Sequence, residues 1–179
     1  PMRYLLDQDA VHNVSRLLAV SGVEPSRLTL EITETGVMTD TTRTVDVLEG
    51  LAGLGICLSI DDFGTGYSSL SHLQQLPVSE LKIDRMFISK VANDPSGEVI
   101  VRSMIDLARN LNLATVAEGV EDRPTLDLLR RLGCTTAQGY YLARPMTVDG
   151  LADWQFPEDE TAVPLNPRAT LNLGLVRTG

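Results

Sequence analysis

The segment ICLSIDD (residues 56–62) is the clearest indication of the fold, because its apolar and polar side chains alternate. Successive side chains of a β-strand point to opposite faces of the sheet. Leu58 and Ile60 therefore share one face, and Ser59 and Asp61 share the other. The first face is apolar along its length, whereas the second becomes acidic where the strand ends. This pattern predicts a strand that packs under helices and carries polar groups at its carboxyl end.

Strand-like and helix-like segments alternate along the chain. The other strand-like runs are LTLEI (28–32), ELKID (80–84), LATVAE (113–118) and TTAQG (135–139). Alternation of this kind implies a parallel sheet with covering helices. A doubly wound sheet usually has apolar side chains on both faces of its strands, whereas the strand ends here turn polar, as at the mouth of a barrel. We therefore predict an α/β fold, a TIM-like (β/α) barrel.

Composition and charge narrow the class of protein. The chain has 179 residues, 43% of them hydrophobic, with a formal net charge of −9. This length and composition are most simply interpreted as a single globular domain. The acidic balance argues against binding to a DNA or RNA duplex, which needs clustered Lys and Arg. No apolar run reaches the ~20 residues of a membrane span. Cys57 and Cys134 lack metal-ligand spacing, so we expect buried free thiols in a reducing cytoplasm.

Charged and polar residues follow the predicted strands one after another. They are Glu31 with Glu34, Asp61 with Asp62, Lys82 with Asp84, Glu118 with Glu121, and Gln138. The carboxyl ends of barrel strands meet at one mouth, and carboxylate oxygens favour Mg²⁺ or Mn²⁺. Helix caps or solvated loop acids are the alternative. Lys82 is open to two interpretations: a structural counter-ion, or a group that holds and polarises an attacking water.

Five motifs occur together in a specific order: EITE (31–34), DDFGTGYSSL (61–70), LKID (81–84), EGVE (118–121) and QGYYLARPM (138–146). With them, roughly Leu5 to Trp154 resembles the EAL-domain cyclic-di-GMP phosphodiesterases. The resemblance implies a (β/α)₈-like barrel that hydrolyses one phosphodiester bond of cyclic di-GMP and releases linear pGpG. It also implies two Mg²⁺ or Mn²⁺ ions, through which an acidic site accepts an anionic dinucleotide.

The resemblance assigns a role to each motif residue. Metal ligands are Glu31, Asp61 and Asp62; the catalytic residues are Lys82, at the attacking water, and Glu118, as a ligand or general base. Supporting and loop residues are Glu34, Phe63, Gly64, Thr65, Gly66, Glu121 and Gln138. We also expect Asp84 and Arg144 to contact the substrate, with a helix cap and a structural salt bridge as the respective alternatives.

The chain departs from the family pattern at its beginning. The Glu-Ala-Leu motif and the metal-binding Asn of the next strand do not occur in it, and about five of eight barrel strands are visible. We expect residues 1–154 to be the C-terminal portion of an EAL domain and residues 155–179 an extension or linker. The isolated chain is then expected to be weakly active or inactive, and to form a homodimer or a domain-swapped assembly. A catalytically silent cyclic-di-GMP receptor and a dimerisation module are the alternatives.

Overall fold

The computed structural model of the chain describes residues 9–37, 41–66, 70–92 and 94–155. These residues belong to two compact units. Unit 1 contains the chain up to Lys82 together with Ala108–Leu113, and unit 2 contains Ile83–Leu107 and the chain from Ala114 onward. Residues 156–179, which hold nearly all of the expected C-terminal extension, lie outside the described residues.

The elements alternate between strands and helices as the sequence predicts. The strands are β1 (Thr29–Thr33), β2 (Cys57–Phe63), β3 (Glu80–Ile83), β4 (Ala114–Ala117) and β5 (Thr136–Ala137). The helices are α1 (Ala10–Ser21), α2 (Glu34–Val37), α3 (Thr41–Gly53), α4 (Leu70–Leu73), α5 (Arg85–Ile88), α6 (Pro95–Asn110), α7 (Arg123–Leu132) and α8 (Val148–Ala152), and Pro25–Arg27 form a 3₁₀ turn. All five predicted strands are confirmed, with ends that differ from the predicted ones by at most two residues.

The strands form one sheet in the order β1-β2-β3-β4-β5. The pairs β1–β2 and β4–β5 are parallel. In the register of the first pair, Glu31 lies opposite Ser59 and Thr33 lies opposite Asp61. Neighbours in the sheet are also neighbours in the chain, and helices lie between each strand and the next. Parallel pairing requires such a crossover between the two strands.

In unit 1, apolar side chains of the helices cover one face of β1 and β2. The buried set is Leu18, Ile32, Val47, Leu48, Leu51, Ile56, Leu58 and Ile60. The predicted alternation in β2 is thereby confirmed for Leu58 and Ile60. The helix α1 ends where the sequence indicates, since Gly22 has a φ of 66° and its N–H donates to the carbonyl of Leu18 at 3.0 Å.

In unit 2, helix α7 has a capping residue at each end. The Asp122 carboxylate accepts a hydrogen bond from the N–H of Thr125 at 2.8 Å, and Gly133 ends the helix with a φ of 81°. Both features supply partners or conformations that helix ends need. The buried leucines of α7 are Leu126, Leu128, Leu129 and Leu132.

Both cysteines are free thiols, but they differ in burial. Cys134 is buried, as predicted, and its Sγ lies 3.2 Å from the carbonyl oxygen of Thr136. Burial raises the pKa of the Cys134 thiol above its ordinary value of 9.0. Cys57 is only half-buried, which corrects the prediction for that residue. It opens β2, where its Sγ lies 2.9 Å from the hydroxyl of Ser79.

Within the described ranges, none of the helices is long and apolar enough to cross a membrane.

Candidate metal centre

Lys82 connects carboxylates from two other strands. Its side chain is 4% exposed, and its Nζ lies 2.8 Å from Oε1 of Glu31 and 3.0 Å from Oδ1 of Asp61. The two carboxylates are more open, with side chains 41% and 23% exposed. Burial of an ammonium group is unfavourable unless the group is paired. The carboxylates of Glu31 and Asp61 therefore stabilise the charged Lys82 side chain in its buried position. Lys82 is thus a counter-ion, while its role at an attacking water stays a prediction.

Asp61 and Asp62 are consecutive, so regular strand geometry would point them to opposite faces. The structure avoids this through a left-handed backbone at Asp62, with a φ of 56°. One carboxylate oxygen of Asp61 and one of Asp62 lie within 4.8 Å of each other. The Asp62 N–H also donates to Oδ1 of Asp61 at 3.1 Å. The left-handed conformation is unfavourable by ~1–2 kcal/mol for a residue with a Cβ, and strain of this kind tends to occur at functional sites.

Glu34 lies against the loop that follows β2. The Glu34 side chain is buried, and its Oε2 accepts hydrogen bonds from the N–H groups of Gly64 at 3.0 Å and Gly66 at 3.3 Å. Thr65 closes the turn, since its N–H and its hydroxyl both donate to the carbonyl of Asp62. Phe63, the last residue of β2, is buried. One carboxylate therefore holds the loop directly after the two aspartates.

Glu118 and Gln138 follow β4 and β5. Glu118 is half-buried, and its N–H donates to the carbonyl of Ile83 at 3.1 Å. Gln138 donates its N–H to the carbonyl of Ala117 at 2.8 Å, and its Oε1 is buried without a hydrogen-bond partner among the described residues. Glu121 is exposed. The structure thus places Glu118 and Gln138 directly after β4 and β5, whereas Glu121 lies further along the loop after β4.

Asp84 and Arg144 make other contacts than those expected with a substrate. The Asp84 carboxylate caps α5, because its Oδ1 accepts the N–H of Met86 at 2.7 Å. The guanidinium of Arg144 lies 4.8 Å from the centre of the Tyr140 ring, at cation–π distance. The helix cap is therefore present at Asp84, and among the described residues Arg144 contacts an aromatic ring and no acidic partner. A substrate contact stays a prediction for both.

The donor set of unit 1 fits a hard divalent cation. Glu31 in the middle of β1, and Asp61 and Asp62 near the end of β2, offer carboxylate oxygens from two paired strands. Oxygen ligands are those that such cations prefer. The sequence indicated these donors through their position after apolar strands. It did not indicate the left-handed backbone at Asp62, whose only sequence signal is the Asp-Asp pair ahead of a glycine-rich turn.

Comparison with known proteins places this geometry in a family. The model of the EAL domain matches residues 2–145. The chain is 48% identical over 141 residues to the bifunctional diguanylate cyclase/cyclic di-GMP phosphodiesterase MucR of Pseudomonas aeruginosa, covering 79% of this chain and 21% of MucR. It therefore spans about a fifth of the length of that relative.

Solved structures give the same result. The PaMucR phosphodiesterase in its c-di-GMP complex matches with a TM-score of 0.79 and 45% identity, over 84% of this chain and 61% of that chain. The manganese/cy-diGMP complex of BlrP1 from Klebsiella pneumoniae matches with a TM-score of 0.73 and 32% identity, over 79% of this chain and 36% of that chain.

These findings define the class as an α/β domain with a parallel sheet and carboxylates at the strand ends. The chain belongs to the EAL domain family. The resemblance stated from the motifs and the TIM-like α/β fold class are confirmed.

Proposed function

We propose that the EAL domain to which this chain belongs hydrolyses one phosphodiester bond of cyclic di-GMP and gives linear pGpG, with Mg²⁺ or Mn²⁺ as cofactor. The observation that carries the proposal is the contact of Lys82 with two carboxylates from neighbouring strands, Glu31 of β1 and Asp61 of β2. The names of the similar proteins support the substrate, since MucR is a cyclic di-GMP phosphodiesterase and the PaMucR structure is a c-di-GMP complex.

Glu31, Asp61 and Asp62 are the residues that would hold the ions. When bound, two such ions polarise a phosphodiester and lower the pKa of a bound water. The acidic character of the chain agrees with this role, because a formal net charge of −9 does not favour direct binding of a dinucleotide anion. Bound cations reverse the local charge and let the same carboxylates take part in binding the substrate.

The other predicted residues act on the water, the loop and the substrate. In this proposal the Lys82 ammonium orients the attacking water by a hydrogen bond, and Glu118 accepts its proton or binds an ion. Glu34 keeps the glycine-rich loop beside the two aspartates through the backbone contacts described above. Gln138 and Glu121 support the site, and Asp84 and Arg144 are expected near the nucleotide.

Location and assembly are part of the same proposal. Two free thiols agree with a reducing cytoplasm. In the described sheet, β1 and β5 each pair with a single strand, and proteins usually cover such edges. We propose a homodimer or a domain-swapped assembly as the cover, which light scattering can test: a monomer of well-defined mass at micromolar concentration contradicts it.

The decisive experiment incubates the 179-residue chain with cyclic di-GMP, with and without Mn²⁺, and follows pGpG by chromatography and binding by calorimetry. Turnover that depends on Mn²⁺ and is lost in Asp61→Asn supports the proposal, even at a low rate. Binding of cyclic di-GMP that is the same with and without Mn²⁺, and no turnover, favours the alternative of a catalytically silent receptor. Neither binding nor turnover favours a dimerisation module and contradicts both ligand-based functions. Asp106→Asn, which removes an exposed carboxylate of α6, is the matched control.

A further inference from the structure

Ser59 is a fully buried serine next to the Lys82 contacts. Its exposure is 0%, and its Oγ has no hydrogen-bond partner among the described residues. Buried hydroxyl groups nearly always have a partner, so an exception calls for an explanation. Bulk water cannot supply the missing partner, because no part of Ser59 is exposed.

The sheet places Ser59 beneath the path of the Lys82 side chain. Ser59 lies opposite Glu31 in the register of β1 and β2, and it shares a face with Asp61, two residues further along β2. Lys82 comes from β3, on the other side of β2, yet it contacts Glu31 on β1. Because Lys82 also contacts Asp61 of β2, the Lys82 and Glu31 side chains meet over β2, on the face that carries Ser59 and Asp61.

The size of Ser59 agrees with this arrangement. Neighbouring strands are ~4.8 Å apart, so β1 and β3 are separated by roughly twice that distance. The Lys82 and Glu31 side chains bridge this distance together, and they can meet over β2 only if the residue between them is small. A serine leaves that room and also offers an oxygen that can accept a hydrogen bond from an ammonium group.

We propose that Ser59 is a positioning residue for Lys82. Its hydroxyl oxygen accepts a hydrogen bond from the Lys82 ammonium when Glu31 and Asp61 turn toward a cation, so that Lys82 keeps its place as the carboxylates change partner. The inference rests on the proposed function, because it requires that these carboxylates bind a cation.

The test follows the Nζ resonance of Lys82 in chain labelled with ¹⁵N-lysine, at one fixed pH and with saturating Mg²⁺. The chain has two lysines, so the exposed Lys90 serves as an internal reference and Lys82→Met assigns the other signal. We expect Ser59→Ala to speed exchange of the Lys82 ammonium protons by about three- to tenfold, the size of one lost hydrogen bond. In Ser59→Ala, the Mn²⁺ affinity measured by calorimetry is expected to change less than twofold. Loss of a full hydrogen bond to the cation site would change it by about tenfold.

Matched variants separate the hydroxyl from the volume of the side chain. Ser59→Thr retains a hydroxyl and is expected to protect the ammonium better than Ser59→Val, which has nearly the same shape. Cys57→Ala removes a group of similar size from the same face of β2, where the thiol already contacts Ser79, and is expected to leave the Lys82 signal unchanged.

The outcomes are distinguishable from those of the proposed function. The inference alone is overturned if the wild type binds the cation but the Lys82 ammonium protons exchange at the same rate in wild type and Ser59→Ala. It is also overturned if Ser59→Thr and Ser59→Val protect these protons equally well. No uptake of Mg²⁺ or Mn²⁺ by the wild type overturns the metal-dependent function and this inference with it.

Discussion

Oε2 of Glu34 lies 3.0 Å from the backbone nitrogen of Gly64, thirty residues further along the chain. Glu34 opens α2, directly after β1, and Gly64 opens the loop after β2. Because β1 and β2 are paired in parallel, the ends of both strands lie side by side, and a single side chain can bridge them. The loop after the two aspartates is therefore held by the neighbouring strand end rather than by its own sequence.

We predict that this bridge stabilises the loop through the charge of Glu34. Glu34→Gln keeps an acceptor but loses the charge, and is expected to lower the free energy of unfolding by about 1 kcal/mol. Glu34→Ala also removes the acceptor, and is expected to cost about 2–3 kcal/mol. Urea unfolding measures both, and hydrogen exchange at the Gly64 amide reports the bond itself. Equal exchange at Gly64 in wild type and Glu34→Ala contradicts the prediction; Glu49→Gln, on the exposed face of α3, is the control.

The left-handed backbone of Asp62 predicts that a glycine at this position stabilises the chain relative to alanine but does not restore metal binding. Asp62→Gly should relieve the strain and make the chain more stable than Asp62→Ala by about 1 kcal/mol. Both variants should lose affinity for Mn²⁺, because both lack the carboxylate. Asn112 provides the matched control, since it has a φ of 59° in an exposed turn after α6. Asn112→Gly should leave the Mn²⁺ affinity unchanged. If Asp62→Ala is as stable as Asp62→Gly, the backbone at Asp62 is not strained and the prediction is wrong.

The sequence predicts the parts of this molecule that depend on local chemistry. Asp122 and Gly133 mark the ends of α7 because a carboxylate cap and a glycine act within a single turn. The strands are predicted to within two residues at each end, since alternation depends on neighbouring residues. The partners of Lys82 are different: spacing left a counter-ion and a water-binding role equally open, because the contact to Glu31 depends on strand order and register. The burial of Cys57 was predicted wrongly for a similar reason, as its position at the start of a strand leaves one side open.

Close packing at Gly139 predicts a stability defect without any change in charge. A Cβ on Gly139 would overlap the backbone nitrogen and oxygen of Val120. The flanking segments cannot move apart easily, because Val120 donates to the carbonyl of Gln138 and accepts from the N–H of Tyr141. Gly139→Ala is expected to cost about 3 kcal/mol, as overpacking against backbone does.

Gly53 supplies the comparison for Gly139. It is the last residue of α3, and a Cβ there would meet no atom within 4 Å. Gly53→Ala is expected to stabilise the chain by about 0.5–1 kcal/mol. Thermal and urea unfolding of the two variants in parallel measure the difference. A Gly139→Ala chain with the stability of the wild type shows that the contact with Val120 relaxes, and contradicts the prediction.

Burial of Cys134 predicts a loss of stability at alkaline pH. The thiol has a raised pKa in the folded chain, whereas in the unfolded chain it ionises near 9.0. The unfolded state therefore releases its proton first, so the stabilising contribution is complete below pH 9.0 and is lost as the pH rises through the folded value. Unfolding free energies should fall more steeply with pH for wild type and Cys57→Ala than for Cys134→Ala. The pH range to measure is about 8 to about 10, one unit either side of the ordinary thiol value of 9.0. Parallel curves for all three contradict the assignment.

Lys82 predicts a competition between an ammonium group and a divalent cation. Its Nζ lies within 3.0 Å of one oxygen of Glu31 and one of Asp61, so a cation that binds these oxygens must overcome its charge. Lys82→Met keeps most of the volume and removes that charge. We expect Mn²⁺ to bind the variant more tightly, by about tenfold if the repulsion is worth ~1.4 kcal/mol. Without Mn²⁺ the variant should be less stable by about 1–2 kcal/mol, a value reduced because both carboxylates are partly solvated.

The same variant separates metal binding from catalysis. Lys82→Met should lose turnover of cyclic di-GMP although its site binds Mn²⁺ well, because the group that orients the water is absent. Calorimetry gives the affinity, urea unfolding with and without Mn²⁺ gives the stability, and chromatography gives the turnover. Lys90→Met, on an exposed position after α5, controls for the loss of one positive charge. If Lys82→Met binds Mn²⁺ more weakly than Lys90→Met, Lys82 assists the cation rather than competing with it, and the prediction is wrong.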